Sequence, residues 1–319
     1  MFKKIFWCLL IVTFSAKAEV VPRQSLTMPL SAKAVFMDLA VHNKKIIAVG
    51  ERGIILNSTD GGETWKQTPS PVDVTLTSID FTPSGEGWIV GHEATILHSS
   101  DSGESWQISK YKPEDERFYL AVNFISDQEG YVLGTDGELW KTIDSGVNWS
   151  LTLLAVEDWY QNHLFGMASI KNSSLVIAER GGVFSLKDGE AKWLVVPSPY
   201  EGSYFGVVTL NNNFLVYGMS GQVFLINAET LEWKKIDAQT DQFLLDAALS
   251  EDGQMAVIVG RGGIVLRVNG EGEVVDKVER KSRVDYTAVA IQGGQMFLAS
   301  MAGGVENIPL SSFMNKAGK

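Results

Sequence analysis

The sequence predicts an all-β chain: a seven-bladed β-propeller of four-stranded antiparallel blades, closed by an N-terminal strand in the last blade. Three observations carry that expectation. One unit of strands and turns returns seven times at intervals of 40 to 44 residues, the length of a propeller blade. No stretch holds a sustained helical hydrophobic period, which disfavours a helical solenoid. An extended segment precedes the first unit while the seventh runs out before a fourth strand, and pairing the two would seal the ring.

The first 18 residues stand apart from the repeat. Lys3 and Lys4 precede an apolar run over residues 5–14 that ends at Ala16-Lys17-Ala18, the charge, core and small-residue layout of a secretory signal peptide. The run is shorter than the roughly 20 apolar residues that span a bilayer. The reading is a leader over 1–18, a propeller over 19–308 and a polar tail over 309–319, with export to the periplasm or beyond. Cys8 is the only cysteine and falls in the leader, so the mature chain offers no disulfide, thiolate metal site or cysteine nucleophile. Net charge is −11, and the leader holds three lysines and no acid; nucleic acid and anionic lipid are poor general partners for so acidic a surface.

Each unit reads as an apolar strand ending in Gly, a short polar turn, a second apolar strand, another turn and a Trp. The first copy is Ile46-Ile47-Ala48-Val49-Gly50, then Ile54-Ile55-Leu56, then Ser58 through to Trp65. Gly91, Gly134, Ala178, Gly218, Gly260 and Ser300 take the place of Gly50 in the later copies. A further strand precedes each copy, as at residues 76–81, 120–125, 205–210 and 288–291, bringing each unit to four strands. Residues 20–28 are expected to form the outer strand of the last blade.

The turn before the Trp carries chemistry in three copies: Ser58-x-Asp60-Gly61-Gly62-x-Thr64-Trp65, Ser99-x-Asp101-x-Gly103-x-Ser105-Trp106 and Thr142-x-Asp144-x-Gly146-x-x-Trp149. Asp accepts hydrogen bonds from turn amides, Gly permits positive φ, and Trp covers the base of the hairpin. A calcium loop needs several oxygen ligands in close sequence, and these turns supply one regular carboxylate. Asp60, Asp101 and Asp144 are therefore expected to be turn staples, with no metal and no cofactor.

These three turns closely resemble the Asp-box, or BNR, repeat. Together with the Val-Gly-x-x-Gly-x-Ile-Leu run before the first box, they are similar to the photosystem II assembly and stability factor family and its relatives in non-photosynthetic bacteria. The resemblance implies an exported, non-catalytic seven-bladed propeller that assists assembly of membrane-protein complexes. Its sharp motifs occupy the first three blades; beyond Trp149 the boxes degenerate to Lys187-Asp188-Gly189 and Asn227-Ala228.

The Gly50-type turns and the Asp-boxes lie at opposite ends of one strand and so on opposite faces of the disc. On the Gly50 side the sequence repeats Glu51-Arg52-Gly53, Glu179-Arg180-Gly181 and Arg261-Gly262. Arg52, Arg180 and Arg261 read as a clamp for carboxylates or an acidic segment of a partner. They read equally as solvated turns in which Glu51 and Glu179 pair with neighbouring arginines. The connections opening on this side are rich in aromatics, of which Trp159, Tyr160 and Tyr204 are the candidate partner-binding residues. His163 has no paired acid at a recognisable spacing and takes no catalytic role.

The expected partner is a protein client, a membrane protein or transporter. A sialidase-like glycoside hydrolase and a glycan-binding Asp-box propeller are the alternatives. Against the first, Pro22-Arg23-Gln24 stands where a sialidase's Arg-Ile-Pro motif would resemble it, and no Tyr–Glu pair is assignable.

Overall fold

The computed structural model describes residues 21–157 and 161–313. Their strands form seven antiparallel sheets, six of four strands and one of three: a seven-bladed β-propeller. In the first blade the strands are Phe36–His42, Lys45–Gly50, Ile55–Ser58 and Lys66–Thr68, in that order from the axis outward. The other blades follow over residues 76–110, 119–153, 164–195, 204–237, 244–279 and 286–309.

Burial explains why the second strand of each unit reads as a continuous apolar run. Ile46, Ile47, Ala48 and Val49 are all 0% exposed, because each face of the sheet lies against a neighbouring blade. A strand covered on both faces has no polar side to alternate with. The core is accordingly divided into seven clusters, each shared between two adjacent blades.

The innermost strands are anchored by one fully buried residue apiece: Phe36, Leu76, Tyr119, Leu164, Tyr204, Leu244 and Tyr286. A register shift follows each of them, which turns the next side chains toward the axis.

The three Asp-boxes are held by a repeated hydrogen-bond network. Ser58 Oγ donates to Asp60 Oδ1 at 2.8 Å and accepts from the Gly62 amide at 2.8 Å, while Asp60 also accepts from the Thr64 amide and hydroxyl. Asp101 and Asp144 repeat the network with Ser99, Ser105, Thr142 and Asn148. Beyond closing its own turn, each box reaches the preceding blade. A Cβ on Gly62, Gly103 or Gly146 would lie 2.9, 2.6 and 2.1 Å from Phe297, Ile47 and Trp88 respectively. The glycine backbone is thus the wedge between two blades, at a φ of +74 to +82°. Trp106 packs edge-on to Phe81, and Trp149 edge-on to Trp88 and Phe124; Trp65 joins the cluster between the seventh and first blades.

Ring closure departs from the expectation. Residues 21–28 contain no strand and do not complete the seventh blade, which stays three-stranded. They lie instead on the outer edge of the first blade, where the Ser25 amide donates to Ser70 O, the Met28 amide to Gln67 Oε1 and Gln67 Nε2 to Leu26 O. The Arg23–Asp73 ion pair, at 3.1 Å, holds the segment's start on the same side. The ring closes by packing and isolated hydrogen bonds: Thr287 Oγ1 donates to Phe36 O, Asn307 Nδ2 to Gly61 O and the Gly304 amide to Ala34 O. The edge strand Val305–Pro309 is left without an outer neighbour among the described residues. The Leu310 amide bonds Gly294 O, so by alternation residues 305, 307 and 309 point their backbone groups outward. The sequence's leader, residues 1–18, and the tail beyond 313 lie outside the described residues.

The wedge role gives a quantitative expectation. Gly146→Ala combines a left-handed penalty with overlap against Trp88 and should cost about 3 kcal/mol. Gly189→Ala, at φ +83° with nothing within 4 Å, should cost about 1 kcal/mol. Denaturant titration of the two variants reads the difference, and equal losses would refute the wedge.

Candidate binding face

The turn that follows Gly50 has a fixed shape in the first six blades, and differs in the seventh, where Gly303 and Gly304 are left-handed. Residues Glu51–Gly53 form one 3-10 turn in which Arg52 sits at φ 56°, and the matching residues Glu93, Asp136, Arg180 and Ser220 lie between 51 and 56°. The ring demands the left-handed residue, since the following turn closes against the connector to the next blade: a Cβ on Gly53 would lie 2.0 Å from Val72 O. Arg52 and Arg180 are exposed and occupy the same position of this turn in the first and fourth blades. Arg261 does not. In the sixth blade Gly262 takes the left-handed place at φ 65°, so Arg261 falls one residue earlier, in line with Glu51 and Glu179. Its guanidinium lies 4.6 Å over the Phe243 ring and 4.0 Å from Asp285.

Glu51 and Glu179 have a job other than neutralising arginines. Glu51 Oε1 accepts from the Val35 amide at 3.3 Å, and Glu179 Oε1 from the His163 amide at 2.9 Å. Each carboxylate caps the backbone entering its own blade's first strand. His163 is structural too, its Nδ1 accepting from the Asp136 amide at 3.1 Å and so joining the third blade to the fourth.

Around Arg52 the face forms a cleft of about 400 Å3 between the first two blades. Arg23, Asp73, His92, Glu93 and Phe118 line it with Arg52. Phe118 is 41% exposed and lies 4.5 Å from the His92 ring, centroid to centroid. Burial holds the His92 imidazole below its usual range, so at neutral pH it presents an uncharged ring. The cations of the cleft are Arg52 and Arg23, the latter ion-paired to Asp73. The chemistry on offer is one charged fork, an aromatic platform and a neutral imidazole, which suits a carboxylate beside an apolar side chain. Arg180 and Arg261 line other parts of the same face.

Tyr204 is not a surface residue. It is 0% exposed, its hydroxyl paired with Ser198 Oγ at 2.8 Å and its ring stacked on Trp233. The repeat itself carries the signal, since Tyr204 falls in register with Phe36, Leu76, Leu164 and Leu244. Trp159 and Tyr160 lie outside the described residues. Sequence reasoning missed Arg23, His92 and Phe118 as a group, because they come from three separate connectors.

Ring and boxes together define an Asp-box β-propeller. Residues 16–114 match the sequence model of the family described as photosynthesis system II assembly factor YCF48. No curated protein matches the chain. Among solved structures, "YCF48 bound to D1 peptide" superposes with a TM-score of 0.69 at 17% identity, covering 93% of this chain and 99% of that one. YCF48 from Cyanidioschyzon merolae gives 0.68 at 17% identity, covering 91% and 99%. The WD40 propeller domain of Doa1 gives 0.67 at 13%, covering 90% and 95%. At these identities the structures speak for the fold. The sequence match covers the first two boxes, so the resemblance read from those turns is shown: this is a propeller similar to the photosystem II assembly factor family.

Two outcomes follow from the turns. Arg52→Gly removes the guanidinium and relieves a left-handed penalty of about 1 kcal/mol, so the melting temperature should hold or rise. Acid should act through the boxes on the other face. Bonds from Thr64 hold the Asp60 carboxyl down to about 2, and the Ser105 hydroxyl does the same for Asp101. A lowered carboxyl contributes stability above the unfolded value near 3.8, lost as pH falls toward 2. The double variant Asp60→Asn, Asp101→Asn should therefore be less stable at pH 7, with a shallower loss between pH 4 and 2 in acid titrations followed by tryptophan fluorescence.

Proposed function

We propose that this chain is an exported, non-catalytic propeller that binds a protein client on the face of the Gly50-type turns and assists assembly or stability of a membrane-protein complex. The observation that carries the reading is the Arg52 cleft, set in a ring that resembles, over nearly its full length, a YCF48 bound to a D1 peptide. The family match at residues 16–114 supports an assembly role, and the leader-like residues 1–18 support export. The client segment is one that offers a carboxylate with an apolar neighbour. Arg52 forms the charge-assisted pair, Phe118 and His92 take the apolar group, and Arg180 and Arg261 extend the positive character of the rim. A sialidase-like reading requires three guanidiniums converging on one acid group, whereas these three lie on the first, fourth and sixth blades, with Arg261 drawn over Phe243.

Cross-linking in the native host, followed by identification of the attached polypeptide, tests the proposal. Arg52→Gly should weaken capture of an inner-membrane client 10- to 100-fold, the worth of one charge-assisted bond. Reversal of Arg52, Arg180 and Arg261 to Glu should abolish it with the melting temperature held. Undiminished capture by the triple variant would overturn the reading, as would turnover of fluorogenic sialosides that depends on Arg52.

A further inference from the structure

Every blade ends in an outer strand whose far border has no sheet partner among the described residues. Soluble proteins blunt such borders with charge, proline or brevity, and six of the seven blades do so here. The outer strand carries Lys66 in the first blade, Lys110 in the second, Lys234 and Lys235 in the fifth, Lys277 in the sixth, and Glu306 with Pro309 in the seventh. The fourth blade keeps its outer strand to two residues, Leu194–Val195. The third blade uses none of these devices.

Its outer strand, Ser150–Leu153, is exposed along its whole length. Residues 145–156 hold no charged side chain and no proline, in a chain that is 20% charged. Leu151 and Leu153 are 42% and 54% exposed, and Val147 and Val156, beyond the two ends of the strand, are 78% and 41% exposed. By alternation the two leucines share one face of the sheet. The backbone is placed for pairing as well. The Leu154 amide donates inward to Gly137 O at 2.8 Å, and Thr152 lies opposite Leu139. Residues 150, 152 and 154 therefore bond the third strand, and Leu151 and Leu153 turn their amides and carbonyls outward.

We infer that this border pairs with the same border of a second copy, as an antiparallel strand pair about a two-fold axis at Thr152. The fit is self-complementary. Leu151 of one copy lies opposite Leu153 of the other, and each such pair exchanges two backbone hydrogen bonds. The two pairs set the leucines of both copies side by side on one face. Val147 of one copy comes to the end of the pair where the other has Val156. Charge selects the place. The chain carries −11, so two copies repel over most of their surface, whereas the run 145–156 lets them meet without opposing like charges along the strand. One short strand pair buries less than the roughly 800 Å2 per partner of a standard interface, so the dimer is a weak one.

Sedimentation velocity of the mature chain from about 5 to about 500 µM tests this, with a monomer–dimer equilibrium expected at a Kd on the order of 50 µM. Thr152→Lys and Leu153→Lys, both at exposed positions, should each weaken association by about 10-fold or more, because the two-fold brings in every new charge twice. The melting temperature of the dilute monomer should hold in both. Disulfides read the register. Cys8 is the only cysteine and falls in the leader, so one cysteine introduced into the mature chain can pair only between copies. Thr152→Cys meets its own mate at a non-hydrogen-bonded position, with Cα atoms about 4.5 Å apart and within disulfide range. Ser150→Cys lies roughly 13 Å from its mate, out of range. Mild oxidation should cross-link the first and leave the second monomeric. A chain monomeric at the highest concentration, a dimer unmoved by both lysines, or equal cross-linking at the two positions would each overturn the proposal. Should either lysine variant fail to fold, the cysteine pair decides it. Arg52→Gly should leave association unchanged, which separates it from client capture.

Discussion

The interaction on which everything else rests is the apolar contact between neighbouring blades. A four-stranded sheet of this length has two apolar faces and cannot bury either alone. Each of the seven clusters therefore belongs to a pair of blades, as where Leu215 and Leu225 of the fifth blade meet Leu244 and Ile258 of the sixth. The ring is the arrangement that leaves no face without a partner. From it follow the continuous apolar second strands, the wedge glycines of the Asp-boxes and the closed turns on the opposite face.

The same constraint separates what can vary from what cannot. Phe36, Leu76, Tyr119, Leu164, Tyr204, Leu244 and Tyr286 occupy one enclosed position in register, and all are large. One residue of the Gly50-type turn is left-handed in each of the first six blades but projects outward, so Arg, Glu, Asp, Ser and Gly all appear there. Chemistry is installed where the scaffold fixes the backbone and leaves the side chain free. Arg52 illustrates this, held in place by a turn whose neighbour Gly53 is pressed against Val72 O.

The repeat made the architecture legible because it is written in residues that packing requires: apolar runs, turn glycines and the Ser-Asp-Thr network of the boxes. The binding face was legible only in part. Arg52 and Arg180 share a motif and a position, but the pairing of Arg261-Gly262 with Arg52-Gly53 is off by one residue, since Gly262 rather than Arg261 carries the left-handed turn. The cleft around Arg52 draws on Arg23, His92 and Phe118, which no local spacing links. Nor does a lone Asp within Phe36-Met-Asp-Leu-Ala-Val announce that it faces an axis; only the closed ring brings Asp38, Asp80 and Asp246 to one cavity. The N-terminal segment misled for a related reason: Val20 to Met28 has the composition of a strand, yet Gln67, Ser70 and Asp73 offer it polar partners on the first blade.

The border at Val305–Pro309, unpaired among the described residues, has a consequence for how the protein behaves in a crowded compartment. A bare strand border invites any passing extended chain to zip on, and copy upon copy can then grow into fibres. Pro309 sits at an outward position and has no amide hydrogen, so the invitation is cut to two donors, from Val305 and Asn307. Replacing that single ring by an ordinary residue would lengthen the sticky border, and solubility rather than folding would suffer.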